Sequence, residues 1–256
     1  MASAVAWRLY MSNLRRILML ETDRPLSVRR AVSFCEAVHD GKKEVEGVKA
    51  VFVHTPDEIK KCWADDEIAV VVDPHWQMLE KLKADVVVDA ILAKKNLGTK
   101  INEAELVIGL GPGFLAGKDV HWVIETNRGH SLGRIITSGS AEPNTGIPGS
   151  IGGYAEERVL RAPVDGKFQA QKNIGDSVKQ GDMIGRVGES EVEARIDGVV
   201  RGLIRTESPV LQGLKIGDID PRGEISYCTT ISDKARAISG SVLEAILRVF
   251  NAECGN

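Results

Sequence analysis

Aromatic side chains are scarce in this 256-residue chain, at 5% of residues, so a surface that stacks successive nucleic-acid bases is not expected. Charge of one sign is also lacking, because 33 Lys and Arg against 36 Asp and Glu leave a net charge of −3. General nucleic-acid binders and membrane-surface binders are normally basic, so we expect neither nucleic acid nor membrane as a partner. The hydrophobic fraction of 43% still predicts a buried core.

Cysteines number four, and no two have the CxxC spacing of a metal or redox pair. Cysteines without such a partner are typical of a reduced, cytoplasmic protein. The five histidines show neither HxH nor HExxH spacing, so no metal site is predicted. No apolar run approaches the roughly 20 residues of a membrane span, and no secretory signal is visible.

Apolar runs and helical patterns alternate over residues 1–150 and predict an α/β domain. The short Val/Ile runs lack the alternation of a half-exposed strand, so they indicate strands buried on both faces. These runs are 48–53, 68–72, 86–88, 106–108 and 122–124. The spacing of apolar residues also predicts helices at 28–38 and 56–63, and a C-terminal helix at 233–250 capped by Ser232.

Residues 160–218 contain two copies of one 32-residue unit. Ten aligned positions carry the same or a similar residue at this offset, including Asp165-Gly166 and Asp197-Gly198. Asp-Gly pairs mark tight turns between strands. Each copy alone would leave an apolar face half open, so pairing of the copies predicts a small β-sandwich over residues 155–225. A glycine-rich connection at 139–153 precedes it.

The repeat resembles the barrel-sandwich hybrid of biotinyl and lipoyl carrier domains in two segments, Ala162-Pro163-Val164-Asp165-Gly166 and Ile174-Gly175-Asp176-Ser177-Val178-Lys179-Gln180-Gly181-Asp182. Such domains carry a lysine on the hairpin between their halves. Here that hairpin falls around residues 188–191, and no lysine lies between Lys179 and Lys215. The resemblance therefore implies a packing or docking module with no biotin or lipoate.

Seven further segments are distinctive: Pro25-Leu26-Ser27-Val28-Arg29-Arg30, Gly109-Leu110-Gly111-Pro112-Gly113-Phe114, Glu125-Thr126-Asn127-Arg128-Gly129-His130, Thr145-Gly146-Ile147-Pro148-Gly149, Arg201-Gly202-Leu203-Ile204, Lys215-Ile216-Gly217-Asp218-Ile219-Asp220-Pro221-Arg222-Gly223 and Ser232-Asp233-Lys234-Ala235-Arg236-Ala237. Together they resemble the selenium-dependent molybdenum hydroxylase system accessory proteins. The resemblance implies an accessory or maturation role, with the hydroxylase or its cofactor-maturation proteins as partners. It leaves open whether the chain is an enzyme, and it supplies no catalytic residue.

Members of that family resemble dinucleotide-binding proteins at their start, with a strand and a glycine run before the first helix. This sequence begins at Met1, where that helix would already start, so the first strand and its glycine loop are missing. A start assigned too late is favoured over a real loss. Glu21 follows the next apolar run, where a Rossmann-like fold places the acid that binds a ribose hydroxyl.

Three glycines, Gly109, Gly111 and Gly113, follow the strand predicted at 106–108. Glycines permit close approach of the backbone to a phosphate, which makes this segment a candidate cofactor-binding loop. Pro112 lacks an N–H group and so removes one donor from such a loop. A tight turn at a strand end is the alternative interpretation, and both stay open.

Basic side chains cluster shortly after the run at 122–124. Arg128, His130 and Arg134 would supply two guanidiniums and an imidazole to a phosphate or carboxylate, and Gly129 would let the loop turn inward. The alternative interpretation is a solvated basic loop.

The combined prediction is a Rossmann-like α/β domain at 1–150, a barrel-sandwich module at 155–225, and a C-terminal helix at 232–250 that packs on the α/β body. The predicted function is an accessory protein that binds a nucleotide or a molybdopterin-type cofactor precursor. One alternative is a non-catalytic scaffold whose sandwich docks the hydroxylase, and another is a dinucleotide-dependent oxidoreductase. Homo-oligomerisation stays open.

Overall fold

A computed structural model describes residues 1–251 of the chain. The chain divides into two compact units. Unit 1 comprises Met1–Asp23, Val51–Thr145 and the segment from Ile231 onward, and unit 2 comprises Arg24–Ala50 and Gly146–Thr230. Each unit is therefore assembled from segments that are distant in the sequence.

The helices are short, apart from the last. In chain order they are α1 (Ala2–Met11), α2 (Ala37–Asp40), α3 (Pro56–Ala64), α4 (Met78–Leu82), α5 (Ser226–Thr229) and α6 (Asp233–Phe250). Ser232 caps α6, since its hydroxyl accepts a hydrogen bond from the backbone N–H of Ala235. Within residues 1–251, no helix combines the length and the apolar character needed to cross a membrane.

The strands of residues 1–251 form four sheets of four strands each. In chain order they are β1 (Leu18–Glu21), β2 (Lys42–Val45), β3 (Val48–Phe52), β4 (Ile68–Val72), β5 (Val86–Asp89), β6 (Leu106–Leu110), β7 (Trp122–Ile124), β8 (Ile135–Ile136), β9 (Val159–Arg161), β10 (Gly166–Ala170), β11 (Ser177–Val178), β12 (Met183–Val187), β13 (Ser190–Glu193), β14 (Gly198–Leu203), β15 (Ser208–Val210) and β16 (Lys215–Asp220).

Unit 1 contains the sheet that bears the candidate site, with strand order β5–β6–β7–β8. Strands β5, β6 and β7 are parallel, and β8 is antiparallel to β7. Every residue of β6 is buried, as expected for a central strand covered on both faces. Apolar residues of α1 and α6 share a core with this sheet, including Val5, Ile108, Ile124 and Val242.

The sheet that contains β1 has the order β1–β4–β3–β2, and β1 runs parallel to β4. Strand β3 belongs to both units, because the division falls between Ala50 and Val51. Hairpin β2–β3 turns at Glu46 and Gly47, which both have positive φ as a tight hairpin turn requires.

Unit 2 contains two antiparallel sheets, with orders β13–β12–β10–β15 and β11–β14–β16–β9, around one apolar core. Their registers repeat at an offset of 32: Met183 lies opposite Glu193 and Lys215 opposite Arg161. Strand β15 of the second copy pairs with β10 of the first, and β11 of the first pairs with β14 of the second. The exchange of strands closes the apolar face that each copy would leave open alone.

The predicted fold, a Rossmann-like domain joined to a barrel-sandwich hybrid and a C-terminal helix, is wrong as a description of this chain. The described part of the chain is mixed α/β, with four small sheets and few helices. The apolar runs of the first 150 residues are divided between two sheets, whereas a doubly wound fold needs one sheet with helical crossovers. Unit 2 also includes residues 24–50, which the prediction assigned to the α/β body.

The helix predicted at 28–38 is a second correction. This segment instead contains two 3-10 turns, Arg30–Val32 and Phe34–Glu36, and the four-residue α2 begins directly after them. The Arg29 guanidinium donates hydrogen bonds to the carbonyls of Tyr227 and Thr230, and Arg30 Nε donates to the Leu203 carbonyl at 2.7 Å. Contacts with distant parts of unit 2 therefore override the local helical pattern.

Two buried carboxylates in unit 2 are held by arginines. Asp218 binds both Arg158 and Arg201, and Arg201 Nη1 also lies 3.0 Å from Asp220 Oδ2. Arg222 Nη2 lies 2.7 Å from the same Asp220 oxygen. Burial of an unpaired carboxylate is costly, so these arginines are needed to keep β16 in the core of unit 2.

Replacing Arg201 by Met should lower the free energy of unfolding by about 3 kcal/mol, because it removes a shared partner from two buried carboxylates. Urea denaturation measures this change. Lys167→Met is the control, since Lys167 and Glu207 form an exposed pair that should contribute less than about 1 kcal/mol. Equal losses in the two variants would contradict the expected role of Arg201.

Asp220 should make the stability depend on pH. Burial alone would raise its pKa, but hydrogen bonds from Arg222 and the charge of Arg201 outweigh burial and lower the pKa below the usual 3.8. A carboxyl of depressed pKa stabilises the fold above its unfolded pKa, and this contribution is lost as the pH falls through its folded pKa. The difference in free energy of unfolding between wild type and Asp220→Asn should therefore shrink below about pH 4. Urea titrations at about pH 7 and about pH 3 test this, and a constant difference would refute it.

Candidate functional site

The carboxyl ends of β5, β6 and β7 meet at one edge of the unit 1 sheet, where α/β folds usually place a ligand. Asp89 ends β5, and its carboxylate is already occupied locally. Its Oδ2 accepts a hydrogen bond from the Thr99 hydroxyl at 2.7 Å, and its Oδ1 accepts one from the Ile91 N–H at 3.0 Å. Asp89 therefore organises the loop after β5.

The three predicted glycines lie at the end of β6, and other parts of unit 1 pack against them. A Cβ on Gly109 would meet the Phe114 ring at 2.5 Å, and one on Gly111 would meet the Thr126 hydroxyl at 2.4 Å. A Cβ on Gly113 would meet the backbone of Lys95 at 2.6 Å. The chain itself thus makes the close approaches for which glycine is required, and the role of these glycines in cofactor binding stays a prediction.

Glu125 directly follows β7 and is only 2% exposed. Its Oε1 accepts a hydrogen bond from the Asn127 N–H at 2.6 Å, and its Oε2 accepts one from the Glu142 N–H at 2.7 Å. Its backbone N–H donates to the Arg134 carbonyl at 3.0 Å. The buried carboxylate of Glu125 therefore holds two parts of the segment from 127 to 142 in place, and its backbone N–H holds a third.

A polar cleft of about 400 Å³ opens beside Glu125. Its lining carries hydroxyls, a carboxylate, a guanidinium and two isoleucines: Glu125, Ser131, Arg134, Ile135, Ile136, Thr137, Ser138, Ser140 and Glu142. Glu142 Oε2 accepts a hydrogen bond from Asn127 Nδ2 at 2.5 Å. Arg134 lines the cleft, and within residues 1–251 its guanidinium makes no hydrogen bond or ion pair.

The rest of the predicted basic loop lies differently. Arg128 forms a two-pronged ion pair with Asp233 at the start of α6, with distances of 2.7 and 3.0 Å. Burial lowers the pKa of Lys234, and the charge of Arg128 lowers it further. Gly129 and His130 are exposed. Of the four predicted loop residues, only Arg134 lines the cleft. A role of the other three in cofactor binding stays a prediction.

Glu21 is the last residue of β1, which pairs with β4. Gly109 lies in β6, so the structure places the predicted ribose-binding acid and the predicted phosphate loop in different sheets. Within residues 1–251, no three His, Cys, Asp or Glu side chains group together in a way that could hold a metal ion.

Sequence reasoning missed most of the cleft, namely Ser131, Ile135, Ile136 and the segment 137–142. The signal was present as Thr137-Ser138-Gly139-Ser140, a run of hydroxyl side chains directly after two isoleucines. Its last two residues fall within the glycine-rich stretch interpreted as a connection between domains. Such composition is typical of loops in general, so only the fold reveals that this one borders a cleft.

No family model matches the chain. A curated relative, "Uncharacterized protein YqeB" of Escherichia coli K12, is 50% identical over 250 residues, which are 98% of this chain and 46% of that protein. The chain thus spans less than half the length of this relative.

Three solved structures show a low likeness to the chain. The product-bound ectoine utilization protein EutE (DoeB) of Ruegeria pomeroyi has a TM-score of 0.23 at 20% identity, over 33% of this chain and 27% of that one. A succinylglutamate desuccinylase/aspartoacylase of Rhodobacter sphaeroides has a TM-score of 0.24 at 20% identity, over 33% and 29%. An aspartoacylase family protein of Mesorhizobium loti has a TM-score of 0.25 at 13% identity, over 66% and 51%. Scores this low carry no argument about the activity of this chain.

These comparisons correct the resemblance to selenium-dependent molybdenum hydroxylase accessory proteins. The matched structures are described as ectoine utilization and aspartoacylase-type proteins, the curated relative is uncharacterized, and none of these descriptions names molybdenum or selenium. Many of the segments behind the resemblance are rich in Gly and Pro, as turns are in unrelated folds. The accessory role, the hydroxylase-docking scaffold and the oxidoreductase alternative are not retained.

Replacing Glu125 by Gln should open the cleft wall, because an amide NH2 would face one of two backbone N–H groups that now share the carboxylate. We expect a loss of about 1–3 kcal/mol in the free energy of unfolding, together with faster hydrogen exchange at Asn127 or Glu142. Glu80→Gln, on an exposed side chain, should change stability by less than about 0.5 kcal/mol. Unchanged exchange at both amides would show that the carboxylate does not hold this segment.

Proposed function

We propose that the cleft beside Glu125 binds a phosphorylated, polyhydroxylated small molecule, with a mononucleotide as the representative ligand. The observation that carries this proposal is Arg134, which lines the cleft and whose guanidinium has no protein partner among residues 1–251. The volume of about 400 Å³ lies within the range of small-molecule sites.

Arg134 is suited to the phosphate. A guanidinium presents a planar fork of N–H donors that matches two phosphate oxygens, and it keeps its charge at any physiological pH. Glu125 is engaged elsewhere, because its two carboxylate oxygens accept hydrogen bonds from the Asn127 and Glu142 N–H groups, and within residues 1–251 it makes no ion pair with Arg134.

The uncharged and apolar side chains of the cleft suit the sugar and the base of a nucleotide. The hydroxyls of Thr137, Ser138 and Ser140 are exposed in the cleft and can donate to or accept from ribose hydroxyls. Glu142 adds an acceptor through its Oε1. Ile135 and Ile136 provide the apolar wall against which a flat base can lie.

We also propose that the protein acts in the cytoplasm. Cys35, Cys62 and Cys228 are buried cysteines present as thiols, which persist most readily in a reducing compartment. Burial raises the pKa of Cys62 to about 11, so this thiol has little of the thiolate character that oxidation requires.

Isothermal titration with AMP tests the ligand proposal. Arg134→Ala should weaken AMP binding roughly 10- to 100-fold, as expected for loss of hydrogen bonds to a charged group. Arg16→Ala is the matched control, because Arg16 is also an exposed arginine of unit 1 but lies outside the cleft. It should leave the affinity unchanged.

A second arm of the titration separates the parts of the ligand. Ribose 5-phosphate should compete with AMP through Arg134, whereas adenosine, which lacks the phosphate, should bind at least about tenfold more weakly than AMP. If AMP, ribose 5-phosphate and inorganic phosphate all fail to bind, or if Arg134→Ala and Arg16→Ala weaken binding equally, the proposal is wrong.

A further inference from the structure

The two copies in unit 2 build the same turn pair at two places. The first end comprises residues 179–182 with 194–197, and the second end comprises 211–214 with 162–165. Three hydrogen bonds donated by backbone N–H groups are equivalent at the two ends. At the first end, Gly181 N–H donates to Ala194 O, Asp182 N–H to Lys179 O, and Gln180 N–H to Asp197 Oδ1. At the second end, Gly213 N–H donates to Ala162 O, Leu214 N–H to Leu211 O, and Gln212 N–H to Asp165 Oδ1. Each end therefore serves as a reference for the other.

The side chains at the two ends differ. At the first end Lys179 Nζ lies 2.9 Å from Asp197 Oδ2, so the turn is covered by an ion pair. Leu211 takes the place of Lys179 at the second end and is 71% exposed. Leu214 takes the place of Asp182 and is also exposed.

The burial of the apolar side chain beneath each turn also differs between the two ends. Ile196 at the first end is 5% exposed, whereas its counterpart Val164 at the second end is 38% exposed. Val164, Leu211 and Leu214, here called the second-end patch, belong to one turn pair held by the hydrogen bonds given above. Clustered apolar side chains that water reaches mark interaction sites more often than isolated ones do.

The charges beside the patch are of opposite sign. Arg161 Nη1 donates to the Gly213 carbonyl at 2.9 Å, and the counterpart of Arg161 at the first end is the acidic Glu193. Asp165 uses Oδ1 for the Gln212 N–H, and within residues 1–251 its Oδ2 has no cation like the Lys179 that binds Asp197. A surface with one cation, one anion and an apolar centre is complementary to itself under a two-fold rotation.

We propose that the second-end patch is the contact through which two copies of this chain associate. Leu211 lies at the centre of the contact, and Arg161 of each copy faces Asp165 of the other. The patch is small, so the dimer is a weak one whose population depends on protein concentration. This inference is separate from the ligand proposed for unit 1, because every residue of the patch belongs to unit 2.

Sedimentation of the wild-type chain up to about 1 mM tests the association directly. Leu211→Lys restores the arrangement of the first end, where a lysine pairs with the turn aspartate, so the fold should be kept. The variant should weaken dimerisation at least about tenfold, since one buried leucine is lost from each copy. Leu26→Lys, at another exposed leucine of unit 2, is the matched control and should dimerise like the wild type.

A charge-exchange experiment tests the orientation of the two copies. Arg161→Asp and Asp165→Arg chains should each dimerise at least about tenfold more weakly than the wild type, while a mixture of the two should form a heterodimer. Circular dichroism confirms that both variants fold, since Asp165→Arg also removes the acceptor for Gln212. A wild-type chain that stays monomeric up to about 1 mM would overturn the proposal and assign the patch to a different protein. Equal dimerisation of Leu211→Lys and wild type, or a mixture that does not associate, would overturn it as well.

Discussion

A buried carboxylate must be surrounded by donors, and this constraint organises both units of the chain. In unit 1, Glu125 satisfies it with backbone N–H groups from Asn127 and Glu142, which fixes the segment that borders the cleft. In unit 2, Asp218 and Asp220 satisfy it with arginines that come from other strands and loops. Each carboxylate therefore ties together chain segments that are separated in the sequence.

Two exposed carboxylates of unit 2 show how the two copies of the repeat differ. Asp197 and Asp165 accept equivalent backbone hydrogen bonds, which keeps the turn pair the same at both ends. Each carboxylate has a second oxygen, and that oxygen is free to serve a different purpose at each end. At the first end Lys179 neutralises it, whereas at the second end the lysine is replaced by Leu211, so a charge and an apolar side chain both face outward. Divergence between repeats thus changed the surface while the backbone was preserved.

Local elements could be predicted from the sequence, and their pairing could not. The apolar runs at 68–72 and 122–124 coincide with β4 and β7, because burial on both faces leaves a strand no polar positions. The run at 48–53 contains β3, although Lys49 in that strand is exposed. The division of these strands between two sheets depends on contacts between distant residues, which no local pattern records. The helix predicted at 28–38 failed for the same reason, since the hydrogen bonds of Arg29 and Arg30 to distant carbonyls decide the path of that segment. Arg134 was predicted to belong to a basic loop. The cleft that it lines also needs Glu142, whose N–H is bound by Glu125, a residue 17 positions earlier in the chain.

Glycine was the least specific signal for the site, and the reason is physical. A position that only glycine can fill is one that another atom approaches closely, and the sequence cannot tell whether that atom belongs to a ligand or to the protein. At Gly109, Gly111 and Gly113 the approaching groups are Phe114, Thr126 and the backbone of Lys95. Once these contacts account for the glycines, the polar groups that remain without protein partners are more informative. They lie in the neighbouring segment that carries Arg134 and the hydroxyls of 137–140, which is why the candidate site belongs there.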